Sequence, residues 1–336
     1  MFVFLLVLLF LAADPGSTTA LLQRGLQELQ KGDLTAARTD LEQASRGDPQ
    51  NAYVWVSLAQ VYLRLKDSDS AAAAAQKAEK AAGSNPAIWR AVSMYYAETG
   101  NTARAAELDA KYRELRWQSA KTDPQLSFEY SQALLHAGDF GRAAEVLEPA
   151  LAEHPSDPQL ILTLGVARYG QRRFEEAVLQ FLKVIQLDPA IEQPYAFLGR
   201  LLDQSGSHLD EITKQYQARA EREPNNGEAQ FLLAKALLVA NSRDPKAEPL
   251  LRRAIDLDSK NWEAHYQLGV ILSNRRDYQG AERELATAVK LNPEEPTTHY
   301  QLARVYDRLG QPDRAKTERD IHQRLASNKA TGMSRQ

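Results

Sequence analysis

The sequence predicts an all-α solenoid of antiparallel helix pairs from three observations: a recurrence every 34 residues, small side chains at fixed places within it, and a polar turn with a closing proline. "WVSLAQVY" from Trp55 returns as "WRAVSMYY" from Trp89, and "HYQLGVI" from His265 returns as "HYQLARV" from His299. In this register repeats begin near 18, 52, 86, 124, 158, 192, 227, 262 and 296. No segment between the turns alternates with the two-residue period of a strand.

In all repeats but the first, the first helix carries a large apolar residue beside a small one. Position eight reads Gly25, Ala59, Ser93, Ser131, Gly165, Gly199, Ala234, Gly269 and Ala303, and Leu58, Leu164, Leu198, Leu268 and Leu302 stand just before their small neighbours. A small side chain lets a second helix approach closely while the neighbouring leucine fills the space beside it. A polar turn follows, as in "KGDL" from Lys31, "AGDF" from Ala137, "RRDY" from Arg275 and "RLGQP" from Arg308. There glycine tolerates positive φ and aspartate caps the next helix.

The second helix repeats alanine at position twenty: Ala37, Ala71, Ala105, Ala143, Ala177, Ala247, Ala281 and Ala315, with only the repeat from 192 departing. Positions eight and twenty are expected to face each other across the hairpin. Pro49, Pro155, Pro189, Pro224 and Pro293 close second helices, because the residue before proline leaves the α region. Pro86, Pro124, Pro158 and Pro296 open first helices behind the capping residues Asn85, Asp123, Asp157 and Glu295.

Departures from the pattern mark expected irregularities. "MFVFLLVLLFLA" at the start has the length of a signal-peptide h-region and about half that of a membrane span, with Ala12 and Ala13 offering a cleavage point. An uncleaved N-terminal anchor and an apolar helix packed onto the first repeat are the alternatives. The repeat from 18 places Arg24 and Glu28 where apolar residues are expected, as suits a terminal repeat. The repeat from 86 loses its second-helix pattern at Asp109, Tyr112 and Trp117, which predicts a joint near 113–123. Pro149 should kink or shorten its helix, and "AAAAA" at 71–75 reads as a tight helix contact. The chain thus divides into an apolar segment at 1–13, a linker at 14–17, the repeats at 18–329, and a disordered tail at 330–336.

Composition excludes several functions. A net charge of -3 provides no electrostatic footprint for nucleic acid, and the absence of cysteine removes disulfides, zinc thiolates and a thiol nucleophile. The six histidines form no HExxH or other metal spacing, and no P-loop, dinucleotide fingerprint or G-x-S-x-G elbow is present. Glu175-Glu176 and Glu294-Glu295 are sequence neighbours suited to solvation or capping rather than to paired acid and base work. No catalytic residue, cofactor or metal is assigned.

The pattern resembles the tetratricopeptide repeat, whose signature W-x2-L-G-x2-Y, A-x3-F, P is met in "WVSLAQVY" with Ala71 and in "LTLGVARY" with Ala177, Phe181 and Pro189. Nine copies carry the resemblance across residues 18–329. It implies a right-handed superhelix whose first helices line a concave face, and a non-catalytic scaffold that binds a protein or peptide partner. A subset of the family grips chaperone C-termini through asparagine at position nine. Leu26, Gln60 and Met94 stand there, so that partner is not expected.

Positions five, nine and twelve of the first helices form the stripe implied to meet a partner: Phe128, then Leu162, Val166 and Tyr169, then Arg200, Phe231 and Lys235, then Tyr266, Tyr300 and Arg304. Apolar residues run into basic and aromatic ones, which suits a segment with apolar anchors and nearby acidic groups. Tyr169→Ala with Arg200→Ala is expected to weaken binding by roughly 2 kcal/mol or more and to leave melting nearly unchanged. Further expectations are an elongated monomer, bacterial in character and exported to the periplasm or held by its N-terminus at the outer side of the inner membrane; without the N-terminal signal it would be cytoplasmic. A structural spacer in an envelope assembly and an accessory subunit of an enzyme complex are the alternative functions.

Overall fold

The computed structural model describes residues 16–333, and the expectations for residues 1–13 and for the start of the linker lie outside them. The helices are α1 (Thr18–Lys31), α2 (Leu34–Gly47), α3 (Ala52–Arg64), α4 (Ser68–Ala81), α5 (Pro86–Glu98), α6 (Thr102–Ser119), α7 (Pro124–His136), α8 (Phe140–Glu153) and α9 (Pro158–Gly170). They continue as α10 (Phe174–Leu187), α11 (Gln193–Leu201), α12 (Leu209–Arg222), α13 (Gly227–Ala240), α14 (Ala247–Leu257), α15 (Trp262–Asn274), α16 (Tyr278–Leu291), α17 (Pro296–Arg308) and α18 (Pro312–Met333). No strand occurs among the described residues. Two compact units divide after Thr163, within α9.

The turns form as their residues dictate. Asp33, Asp67, Asp139 and Asp277 each accept a backbone N–H three residues on, at 3.0, 3.1, 3.1 and 2.8 Å, capping α2, α4, α8 and α16. Asn85, Asp123, Asp157 and Glu295 cap first helices that open on proline. Gly32, Gly138 and Gly310 hold the left-handed turn conformation, with φ of 86°, 77° and 70°. Lys66, Arg172 and Arg276 occupy the same turn at φ 63°, 61° and 67°, where a Cβ is strained.

Hairpin packing follows the small residues with one addition. A Cβ on Gly25 would lie 2.7 Å from Leu41 Cγ, one on Gly165 2.7 Å from Phe181 Cε1, and one on Gly269 2.6 Å from Leu285 Cγ. Position eight therefore meets a large residue one turn beyond the alanine at position twenty. That residue is Leu41, Leu147, Phe181, Tyr216, Leu251 or Leu285 in six of the repeats, and none of these is accessible to solvent. Position twenty does face position eight in the repeat from 86, where the Ser93 hydroxyl donates to the Ala105 carbonyl at 2.9 Å. In the repeat from 192, buried Ile212 takes the alanine's place.

Three expectations are corrected. No joint forms at 113–123: the added residues extend α6 to 18 residues, against 14 in α4, and it packs on α7. Arg116 pairs with Glu129 at 2.8 Å, the Arg113 guanidinium reaches the Glu129 carbonyl, and the Trp117 ring lies 5.8 Å from Tyr130. Pro149 does not shorten α8, which runs 14 residues around it. Pro149 removes the ladder partner of the Glu145 carbonyl, yet the helix runs on through it. The tail expected from 330 does not begin there: no proline stops α18, which runs on to Met333.

Candidate partner-binding face

The histidines are settled by position four of the repeat. Trp55 Nε1 donates to the Pro49 carbonyl at 2.7 Å, Trp89 Nε1 to Gly83 at 2.9 Å, and the Tyr195 hydroxyl to Pro189 at 3.2 Å. His265 Nε2 and His299 Nε2 face the Ser259 and Pro293 carbonyls at 3.2 and 2.9 Å, again six residues back. Each such donor ties a first helix to the loop before it. The second nitrogen faces a carboxylate: His265 Nδ1 lies 2.7 Å from Glu284 and His299 Nδ1 2.5 Å from Glu318. The Glu284 hydrogen bond raises the His265 pKa above its ordinary value, with burial opposing. These imidazoles are structural donors, and no group of three or more His, Asp or Glu residues is placed to hold a metal ion among the described residues.

The stripe expected to meet a partner is partly realised. In the first compact unit Phe128 and Leu162 are half-buried. In the second, Val166 and Tyr169 are half-buried on α9, Arg200 is exposed on α11, and Tyr300 and Arg304 are exposed on α17. Tyr266 is half-buried, and burial raises its phenol pKa. Phe231 is a correction: only 6% of it is accessible. α11 crosses α13 so closely that a Cβ on Gly199 would stand 2.6 Å from Leu232 Cδ2, and α13 is enclosed at its first turns. Lys235 lies over the Phe231 ring at 5.7 Å and pairs with Glu263 at 3.0 Å, so its charge is already met.

Aromatic contacts bring Tyr169 and Arg200 together through a residue that the stripe left out. Tyr169 meets the Phe197 ring edge-on at 5.5 Å, and Phe197 stacks at 4.8 Å on Phe181, which fills the hairpin behind Gly165. The Arg200 guanidinium lies 5.7 Å from the same Phe197 ring. Phe197 holds position six and stands three residues before Arg200 on α11, a helical spacing that could have marked it. At the far end of the unit, Arg304 lies 5.8 Å from the Tyr300 ring, which also packs against His322 at 5.4 Å. Arg200 and Arg304 make no ion pair among the described residues, so two cations beside aromatic rings face solvent unmatched.

Models of the tetratricopeptide repeat match residues 22–86, 130–191 and 198–262, a second matches 275–318 and a third 250–283. No curated protein matches the sequence. Among solved structures, MamA from residue 41 onward, of Desulfovibrio magneticus RS-1, is 22% identical with a TM-score of 0.44, covering 52% of this chain and 97% of that one. Yeast Tom70 is 15% identical with a TM-score of 0.42 over 93% of this chain and 76% of its own. YrrB, titled a TPR protein with an unusual peptide-binding site, is 18% identical with a TM-score of 0.37, covering 64% of this chain and 93% of that one.

Proposed function

The chain belongs to the tetratricopeptide repeat family, and from that premise we propose that it is a non-catalytic interaction scaffold holding a protein segment on the first-helix face of its second compact unit. The observation that carries the reading is the cluster of Tyr169, Phe197 and Arg200, in which an exposed, unpaired guanidinium lies beside the Phe197 ring and Phe197 in turn meets Tyr169. Tyrosine and arginine are the side chains over-represented among residues that dominate interface energetics. A free cation on a ring calls for a carboxylate, and the fitting partner is a segment with an acidic residue next to an apolar or aromatic one.

The test is affinity capture of a partner from the source cell, followed by titration of that partner with Arg200→Ala and with the Tyr169→Ala, Arg200→Ala double variant. The double variant is expected to weaken binding by roughly 2 kcal/mol or more. Tyr169 packs against Phe174 at 5.8 Å as well as Phe197, so its truncation also lowers melting, contrary to the expectation from sequence. Arg200→Ala, which removes an exposed side chain, keeps the parent's melting and isolates the charge. Unchanged affinity in both folded variants moves the contact to another surface, as a spacer using its flat faces would require.

A further inference from the structure

The second helices form a seam of their own, and one stretch of it lies open. Elsewhere ion pairs span neighbouring second helices: Arg104 of α6 to Glu79 of α4, Arg142 of α8 to Glu114 of α6 at 3.2 Å, and Arg314 of α18 to Glu282 of α16 at 2.7 Å. No side-chain bridge spans α12 and α14 among the described residues. α14 is also short, with 11 residues against 14 in α12 and α16, because the turn "NSRDPK" from Asn241 stands where its first turn would be. The Asn241 and Asp244 side chains hold that turn by accepting the backbone N–H groups of Arg243 and Lys246 at 3.1 and 2.8 Å.

A groove of about 420 Å³ opens here between α12 and α14, over α13. Half-buried Leu237 and Leu250 and exposed Pro249 give it an accessible apolar wall, above buried Ala220 and Leu233. Gln230, only 7% accessible, lies in the lining: its amide nitrogen donates to the Ala220 carbonyl at 3.2 Å, and no donor reaches its Oε1 among the described residues. Lys246 borders the groove on the α14 side, exposed, with no partner for its ammonium among the described residues. Glu221 borders it on the α12 side and accepts from Gln217 at 2.9 Å. On α13, Gln230, Leu233 and Leu237 share one face at helical spacing, roughly 150° around the helix from Phe231 and Lys235 of the first-helix stripe.

We propose that this groove is a second docking site, for an extended partner segment with a leucine-sized residue two places before an aspartate. Residues two apart in an extended chain share a side, so both side chains reach the groove together. The leucine covers Leu237, Leu250 and Pro249, its backbone N–H donates to Gln230 Oε1, and the carboxylate pairs with Lys246. Glu221 on the other bank repels that carboxylate, which fixes the direction of the segment. The inference rests on the reading of the chain as an interaction scaffold and adds a contact on its second-helix side.

Saturation-transfer difference NMR tests this with the probe Ac-Leu-Ala-Asp-NH2. The full chain carries Arg200→Ala and Arg304→Ala, so the first-helix cations cannot supply the partner of the aspartate. The leucine methyls of the probe are expected to receive saturation with a millimolar Kd. Ac-Leu-Ala-Asn-NH2 should bind roughly threefold more weakly, the scale of an exposed ion pair. The N-methyl-leucine analogue, which lacks the N–H for Gln230, should lose a similar factor. Lys246→Gln, which alters an exposed side chain, should bind the aspartate and asparagine peptides equally. Pro249→Glu, also exposed, puts a carboxylate in the apolar wall and should abolish the saturation. No saturation by the aspartate probe, equal binding of the two peptides before Lys246 is changed, a preference that survives Lys246→Gln, full affinity of the N-methyl peptide, or an unchanged titration in Pro249→Glu overturns the proposal. The first-helix face is judged separately, by titration of the captured partner with Arg200→Ala.

Discussion

Gly269→Ala sets two physical effects against each other at one methyl group. Alanine is favoured over glycine within a helix by roughly 0.5–1 kcal/mol, which alone would stabilise α15. The new Cβ, however, would stand 2.6 Å from Leu285 Cγ, 3.0 Å from its Cδ2 and 3.3 Å from its backbone nitrogen. Carbon atoms pack best at about 3.5–4.0 Å. Leu285 is fully buried in a close-packed hairpin, so relieving the contact shifts α16 away from α15. Overpacking of that kind costs roughly 1–3 kcal/mol, so the net effect is a loss of about 1 kcal/mol. Gly141 provides the control: it lies in the first turn of exposed α8 sequence, and a Cβ there meets nothing nearer than Asp139 Oδ1 at 3.8 Å. Gly141→Ala should therefore gain a few tenths of a kcal/mol, about half the propensity difference, near a helix end. Hydrogen exchange of the α15 and α16 amides reads the loss, since stability in stacked repeats is local. Gly269→Ala protecting those amides as well as the parent does would refute the close-contact reasoning.

The left-handed turn residues give a second prediction: Arg276→Gly relieves a strained φ of 67° and should raise the stability of the α15–α16 hairpin by up to about 1 kcal/mol, read as an increased urea midpoint. His265 gives a pH dependence. Its folded pKa is raised, so its contribution is complete below the unfolded imidazole value of about 6.5 and is lost as pH rises through the folded value. The urea midpoint should fall as pH rises above about 6.5, and the fall should flatten in His265→Gln; a parent profile as flat as the variant's excludes the pairing with Glu284. For the N-terminus, the apolar run predicts that expression of the full sequence in a bacterial host yields a periplasmic chain starting near Asp14. Mass spectrometry of a cytosolic product retaining Met1 would count against that export.

The helix pairs were legible because periodicity, capping residues and prolines all act locally, and each cap from Asp33 to Glu295 forms where its residue stands. The joint misread near 113–123 shows the limit of the pattern. Tyr112 and Trp117 break the repeat in sequence, yet Trp117 packs against Tyr130 of α7, and Arg116, which pairs with Glu129 of α7, lies over the Tyr112 ring. The candidate site was legible as a stripe but not as a surface. Burial of Phe231 depends on how closely α11 crosses α13, a tertiary distance that no spacing in one helix encodes. Lys235 lost its freedom to Glu263, 28 residues away, while Phe197 gained its place from a stack on Phe181.

Site-specific photo-crosslinking tests the central claim most directly. A photoreactive amino acid replaces Phe197, within the ring and guanidinium cluster on α11, or Leu179, which is 47% exposed on second helix α10. In the source cell the scaffold reading predicts a discrete crosslinked partner from position 197, reduced by Arg200→Ala, and little from position 179. Crosslinking that is stronger from 179, or insensitive to Arg200→Ala at 197, would contradict the assignment of the binding face.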